Sequence, residues 1–165
     1  MLRAIELSMI SLKEDGGPFG CVIVKNNEII SEGFNEVTNK NDPTAHAEIV
    51  SIRNACNKLN TFNLKGTQMF TSCEPCPMCL SAIYWSHIDK IYYGNNRKDA
   101  AKIGFDDSYI YDELSLDPNK RKILLEQINE KEAIKAERYP SVGLLAGVGL
   151  KGSGIQTDGS VNKGI

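Results

Sequence analysis

Two short segments, His46-Ala47-Glu48 and Pro75-Cys76-Pro77-Met78-Cys79, set the strongest condition on any fold this chain adopts. Each stands where the local pattern begins a helix, so their chemistry combines only if the fold brings two helix beginnings together. Cys76 and Cys79 are three positions apart, which places both sulfurs on one helix face and lets them share a metal. His46 supplies a third ligand from the other segment. Imidazole with two thiolates suits zinc, and the positive ends of two helix dipoles favour thiolates there. Three protein ligands leave a fourth position for water or hydroxide, as zinc sites that do chemistry require, whereas a structural zinc is closed by four. Zinc brings the pKa of such a water to about 7. Glu48 is then the candidate to carry protons to and from it. One conflict stands in the way: residues two apart on a regular helix do not share a face, yet His46 and Glu48 must reach the same cleft.

The remaining cysteines have other readings. Cys21 and Cys56 lie in apolar runs and are expected to be packing residues. Cys73 extends the series to Cys73-x-x-Cys76-x-x-Cys79, which mimics an iron-sulfur run, but position 83, where the fourth ligand is expected, is Ile. Cys73 is expected beneath the site. Alone, Cys-x-x-Cys also fits a redox pair or a structural zinc half-site.

Around these segments the pattern is that of an α/β chain. Leu2, Ile5, Met9 and Leu12 recur at helical spacing, and the stripe they form is expected to face the core. CVIVKNNEIISEGFN reads as a hairpin turning at Asn26-Asn27, since Asn tolerates positive φ. Asp42-Pro43 reads as a helix start, followed by the stripe Ile49, Ile52, Cys56 and Leu59. TQMFTS is a strand, MCLSAIYW a helix and KIYYG a strand, which together suggest a parallel crossover. RKDAAKIGFDDSYIYDEL is mixed and partly helical, and KILLEQI fits either a fifth strand or a helix. Trp85 and Tyr84 are expected to pack at a helix end, and His87 to lie at the surface.

A chain of 165 residues, 41% hydrophobic and 24% charged, is expected to form one main domain, positions 1–140, with a Gly-rich tail at 141–165. No run approaches the roughly 18 apolar residues of a membrane span, and charged residues interrupt the first apolar stretch. A cytoplasmic protein is the expectation. A net charge of -2 gives no general attraction to phosphate backbones, and Lys98 and Lys102 alternate with acids as on a solvated face.

H-x-E followed by P-C-x-x-C resembles the cytidine deaminase superfamily of zinc enzymes. The likeness extends through Gly17-Pro18-Phe19-Gly20, Asn35, NDPTAHAEI, TSCEPCPMC and AAKIGFDDSYIY, and within the superfamily it is greatest to the bacterial guanine deaminases. The resemblance implies a three-layer α/β/α sandwich around a mixed sheet of about five strands. It implies hydrolysis of guanine to xanthine and ammonia by a homodimer with one zinc ion per chain. It further implies that His46, Cys76 and Cys79 hold the metal and that Glu48 and Asp107 are catalytic. Asn35, Phe19 and Ala47 would bind the base. Chemistry supports Asp107 independently, because guanine presents donors at N1 and its amine and carboxylates offer only acceptors. Asp106 and Asp107 also fit a simple loop or helix cap, Asn35 a turn and Phe19 the core. The sequence departs from the pattern at its end: enzymes of this type close the pocket with an aromatic C-terminal segment exchanged between subunits, and nothing after Tyr139 is aromatic. The rival readings are a deaminase of another base or nucleoside, such as cytosine or adenosine in transfer RNA, and a non-catalytic zinc module.

Overall fold

A computed structural model describes residues 1–127. The chain divides into two compact units, Met1–Ser115 and Leu116–Ile165. The first runs α1 (Leu2–Lys13), β1 (Gly20–Lys25), β2 (Glu28–Phe34), α2 (Val37–Lys40), α3 (Ala47–Leu59), β3 (Gln68–Cys73), α4 (Pro77–Trp85), β4 (Lys90–Asn95), α5 (Arg97–Lys102) and α6 (Ser108–Ser115).

The sheet order is β2-β1-β3-β4. Strand β1 is antiparallel to both β2 and β3, and β3 is parallel to β4 across the α4 crossover. The hairpin turns at Asn26 and Asn27, with φ of 50° and 64°, the left-handed pair that matches the twist of the flanking strands. Helices cover both faces. On one side Gly20 lies against α1, and on the other Gly33, opposite Cys21 in the β1–β2 register, lies against α3. The three-layer arrangement around a mixed sheet is present, with four strands among the described residues instead of about five. Cys21, Ile23, Ala47, Ala55, Leu64, Met69 and Ile83 form the buried core between sheet and helices, with Cys56 partly buried against it.

Helix α1 turns a different face inward from the expected one. Leu2 and Met9 are 78% and 55% exposed, and Ile5 and Leu12 are exposed too, while Ala4, Leu7, Ser8 and Ser11 are buried. The cause is distance. A Cβ built on Gly20 would strike the Ala4 carbonyl oxygen and lie 2.5 Å from the Ser8 nitrogen. The α1 backbone thus lies directly on the strand, with Ala4, Ser8 and Ser11 beside Leu7 on the buried face; Ser8 donates to the Ile5 carbonyl at 2.7 Å and Ser11 to the Gly17 carbonyl at 2.6 Å, with the Asn35 carbonyl 3.0 Å away. Arg3 then ties the helix to β2 by donating twice to Glu32, at 2.8 and 2.7 Å.

Three further expectations are corrected. Asp42 does not start a helix; its carboxylate accepts from the Thr44 nitrogen and hydroxyl at 2.8 and 2.7 Å, closing a turn that delays α3 to Ala47. Tyr84 and Trp85 do not pack in the core but are 75% and 67% exposed, because α4 buries only Pro77, Cys79 and Ile83. Residues 122–127 form neither strand nor helix, and Ile123, Leu124 and Leu125 are exposed; Ile128, the last residue of that run, lies outside the described residues. In the second unit the described residues hold a 3₁₀ turn at Pro118–Lys120, capped by Asp117. The Gly-rich tail at 141–165 lies outside the described residues. His87 is exposed as expected.

Two predictions follow from this packing. Gly20→Ala should destabilise the fold by roughly 1–3 kcal/mol or more through overpacking, read from the midpoint of urea unfolding, whereas Gly104→Ala meets no atom within 4 Å and is limited to the strain of its φ of 92°. Arg3 holds the Glu32 carboxyl below the usual glutamate range. The stability this adds is present above the unfolded-state value and lost as pH falls through the folded one. Glu32→Gln should therefore be less stable than the wild type at neutral pH, with the difference closing in acid; a gap that persists at low pH would refute the assignment.

Candidate functional site

His46 and Cys76 occupy equivalent places. Each is the N-cap of its helix in an extended conformation, His46 at φ −68° and ψ 155°, Cys76 at φ −65° and ψ 169°. Pro77 at the first helical position presets φ for α4. The cap position resolves the conflict between His46 and Glu48. His46 precedes the helix and is free of its rotational phase, so its ring and the Glu48 carboxylate both reach the same cleft.

His46, Cys76 and Cys79 form a cluster of donor atoms whose spacing suits zinc. His46 Nδ1 lies 3.6 Å from Cys76 Sγ and 3.5 Å from Cys79 Sγ, and all three donor atoms fall within 4.8 Å of one another. Zinc bonds of about 2.3 Å to sulfur and 2.05 Å to nitrogen, at a tetrahedral angle, put N and S about 3.6 Å apart. Both nitrogen–sulfur separations match that value. The Cys79 thiol and the His46 ring together pull Cys76 down to about 4, so it stands as a thiolate. The Cys76 thiolate and burial push Cys79 up. Hydrogen bonding to Cys76 raises His46.

Glu48 is 6% exposed on the first turn of α3. Burial raises its pKa, and the hydrogen bond from Thr71 opposes that rise. Its Oε1 accepts from Thr71 Oγ1 at 2.7 Å, and its Oε2 lies 3.4 Å from Cys79 Sγ. This is the floor of a cleft of about 330 Å³ whose lining includes Phe19, Asn35, His46, Glu48, Cys76 and Asp107. Asn35 is buried, and its Oδ1 accepts from the Gly17 and Val37 backbone nitrogens at 3.3 Å each. That pair of donors fixes the amide and leaves its NH₂ group to face the cleft.

The two aspartates separate. Asp106 accepts from the Ser108 nitrogen at 2.9 Å in the turn before α6, while Asp107 is half-buried in the cleft wall, its pKa raised by burial and by the Cys76 charge. Ala47 is fully buried in the core cluster and its side chain does not line the cleft. Cys73 lies in the cleft wall.

Thr71, Phe105, Arg97 and Tyr111 carried no assigned role in the sequence reading, although Thr71, Phe105 and Tyr111 fall within the segments TSCEPCPMC and AAKIGFDDSYIY. Phe105 follows Gly104 and meets Phe19 edge to face at 4.9 Å. Arg97 covers the Tyr111 ring at 4.6 Å, and Tyr111 donates to the Pro75 carbonyl at 3.4 Å. Phe105 was legible in principle, as the residue that Gly104 delivers beside the aspartate pair. Thr71 was not, because its partner comes from another element.

A mixed sheet with a His-Cys-Cys cluster at two helix starts defines a zinc-binding deaminase fold, and residues 1–95 match the model for the cytidine and deoxycytidylate deaminase zinc-binding region; the chain belongs to that family. It is 51% identical over 117 residues to guanine deaminase of Bacillus subtilis, covering 71% of this chain and 75% of that protein. The crystal structure of the Bacillus subtilis guanine deaminase superposes with a TM-score of 0.80 at 41% identity, covering 93% of this chain and 94% of that one. The guanine deaminase of Nitrosomonas europaea is similar at a TM-score of 0.60 and 31% identity, over 64% of this chain and 62% of that one. A tRNA-specific adenosine deaminase of Aquifex aeolicus is 46% identical over 76 residues, covering 46% of this chain and 50% of that protein.

Metal content tests the ligand set. His46→Ala, Cys76→Ser and Cys79→Ser should each reduce bound zinc after dialysis from near one ion per chain to a small fraction, measured by atomic absorption. Full occupancy in all three would place the metal elsewhere.

Proposed function

We propose that this chain hydrolyses guanine to xanthine and ammonia, with zinc held by His46, Cys76 and Cys79, and Glu48 carrying protons. The observation that carries this reading is a three-ligand cluster of tetrahedral spacing beside a buried carboxylate on the floor of a base-sized cleft. Likeness to the Bacillus subtilis guanine deaminase supports guanine as the base. Two further structural neighbours are complexes with 2,6-diaminopurine and 8-azaguanine, at TM-scores of 0.60 and 0.61.

Zinc held by His46, Cys76 and Cys79 would supply a Lewis acid that lowers the pKa of a water toward neutrality. The side chains do the rest. Phe19 and Phe105 offer ring surface to a flat base. Asn35 presents only donors, matching the acceptor atoms of a purine. Asp107 presents only acceptors, matching the N–H groups of guanine, and assists proton transfer. Ala47 contributes through its backbone, since its methyl is in the core. As the C2–O bond forms, Glu48 takes a proton from the attacking water and passes it to N3; as the C2–N bond breaks, it takes the second proton from the new hydroxyl and passes it to the departing nitrogen. Ammonia leaves and xanthine remains, with no net proton lost.

The rival substrate is adenosine in transfer RNA, as the name of the Aquifex aeolicus relative records. The cleft lining disfavours a polynucleotide, because Glu74, Asp106 and Asp107 oppose Arg97 there. Such a substrate would demand several phosphate contacts from cations. Among the described residues no helix is long and apolar enough to cross a membrane. All five cysteines are free, which suits the reducing cytoplasm. A homodimer is part of the same reading, and sedimentation as a monomer at working concentration would overturn it.

Zinc-loaded protein should release ammonia from guanine in preference to adenine, cytosine and their nucleosides. Glu48→Gln should keep its zinc and lose about 10²- to 10⁴-fold in kcat. Release from another base would keep the mechanism and replace the substrate; turnover unaffected by Glu48→Gln would remove the mechanism itself.

A further inference from the structure

Glu48 has two carboxylate oxygens with different neighbours, and the difference originates in one residue that belongs to neither sequence motif. Thr71 lies within β3, paired with Cys21 of β1, and is fully buried. Its hydroxyl has a single proton to donate. Two acceptors are in reach, Glu48 Oε1 at 2.7 Å and the Gly20 carbonyl at 3.5 Å. The shorter contact is a hydrogen bond of good length and the longer is at the limit of one, so the proton goes to Glu48.

We infer that Thr71 is a positioning residue for Glu48, holding Oε1 so that Oε2, on the side of Cys79, is the oxygen that takes up and returns the proton. The inference rests on Glu48 being the proton carrier proposed above. A glutamate reaches its target through three rotatable bonds, and without an anchor its terminal torsion is broad and two-fold, which exchanges the oxygens. Thr71 removes that equivalence. It stands on a central strand with a β-branched side chain restricted at χ1, so its hydroxyl direction is set by the sheet. When Glu48 is ionised, Thr71 donates to Oε1. When Oε2 carries the proton, Oε1 still accepts from Thr71. The anchor thus persists through the whole cycle while only Oε2 changes protonation, and no bond to Thr71 forms or breaks. A displacement of about 1 Å in a reacting group can cost about 10²-fold in rate, which sets the scale of what the anchor protects.

The test is a pair of substitutions that separate the hydroxyl from the methyl. Thr71→Val keeps the shape and removes the donor; Thr71→Ser keeps the donor and removes the methyl. With zinc-loaded protein, Thr71→Val should lower kcat about 10- to 100-fold with KM within about twofold of the wild type, and Thr71→Ser should stay within about threefold in kcat. A packing role predicts the reverse order. Val close to the wild type, Ser falling as far as Val, or a loss confined to KM would each overturn the inference. Zinc content and the unfolding midpoint of every variant identify one that has failed to fold, in which case Thr71→Ala replaces Val as the variant without a donor. An activity-independent reading comes from carbon-13 spectra of protein labelled at the glutamate carboxyl carbons. The Glu48 signal, assigned through Glu48→Gln, should move in Thr71→Val and not in Thr71→Ser; an unmoved signal in Val overturns the inference whatever the turnover. A wild type active on a base other than guanine removes the substrate reading alone, and the Thr71 comparison is then made on that base. If no base is turned over, the carboxyl spectra decide.

Discussion

The meeting of His46 and Cys76 is the constraint on which the rest of the structure depends. Each stands at the start of a helix, extended and outside the helical phase, and the imidazole nitrogen lies 3.6 Å from the thiolate. Two helix N-termini converging on one point bring two positive dipole ends together, an arrangement that needs negative charge at its centre. The Cys76 thiolate supplies it. The turn closed by Asp42 and the Pro75-Cys76-Pro77 corner set where the two helices begin, so a shift of one residue in either would rotate a ligand out of the cluster.

That convergence requires the sheet to deliver both helices at close range, and small residues make this possible. Gly33 lies so near α3 that an added Cβ would stand 2.7 Å from both the Ala47 carbonyl and the Ser51 hydroxyl. Ser51 uses the proximity to donate to the Cys21 carbonyl at 3.0 Å. On the opposite face Gly20 does the same for α1. Helix α3 therefore packs on the sheet through its Ala47 and Ser51 side, and Glu48 arrives between α3 and β3 with Thr71 opposite.

These distances explain what the sequence could and could not say. The hairpin at Asn26-Asn27, the β3-α4-β4 crossover and the grouping of His46 with Cys76 and Cys79 were legible because each is encoded locally, by turn chemistry, period or ligand spacing. The buried face of α1 was not. Its apolar stripe at Leu2, Ile5, Met9 and Leu12 follows the helical period, but the face that meets the sheet is Ala4, Leu7, Ser8 and Ser11, where Gly20 lets the helix backbone come close, and a glycine on a strand does not announce which helix will lie over it. Asp42-Pro43 misled for a similar reason. A residue with cap chemistry closes a turn as readily as it starts a helix, and here the helix start belonged to His46. The exposed Tyr84 and Trp85 show the limit of reading aromatic residues at a helix end as packing.

Glu48 itself marks the site more sharply than any motif. It is a glutamate between two buried residues, Ala47 and Ile49, at the start of a helix whose inner face is otherwise small or apolar. Carrying an ionised carboxylate into such a place costs several kcal/mol even after relaxation, and an apolar residue of similar volume would pack there without that cost. The fold offsets part of that cost with the Thr71 hydroxyl on Oε1 and turns the remaining oxygen toward the Cys79 sulfur. Local consistency fails at this one position of α3, and such failures are expected where stability has been given up for chemistry. The donor that makes the position tolerable also distinguishes its two oxygens, so on the proposed reading one hydrogen bond would serve both the stability of the buried carboxylate and the direction of its proton transfer.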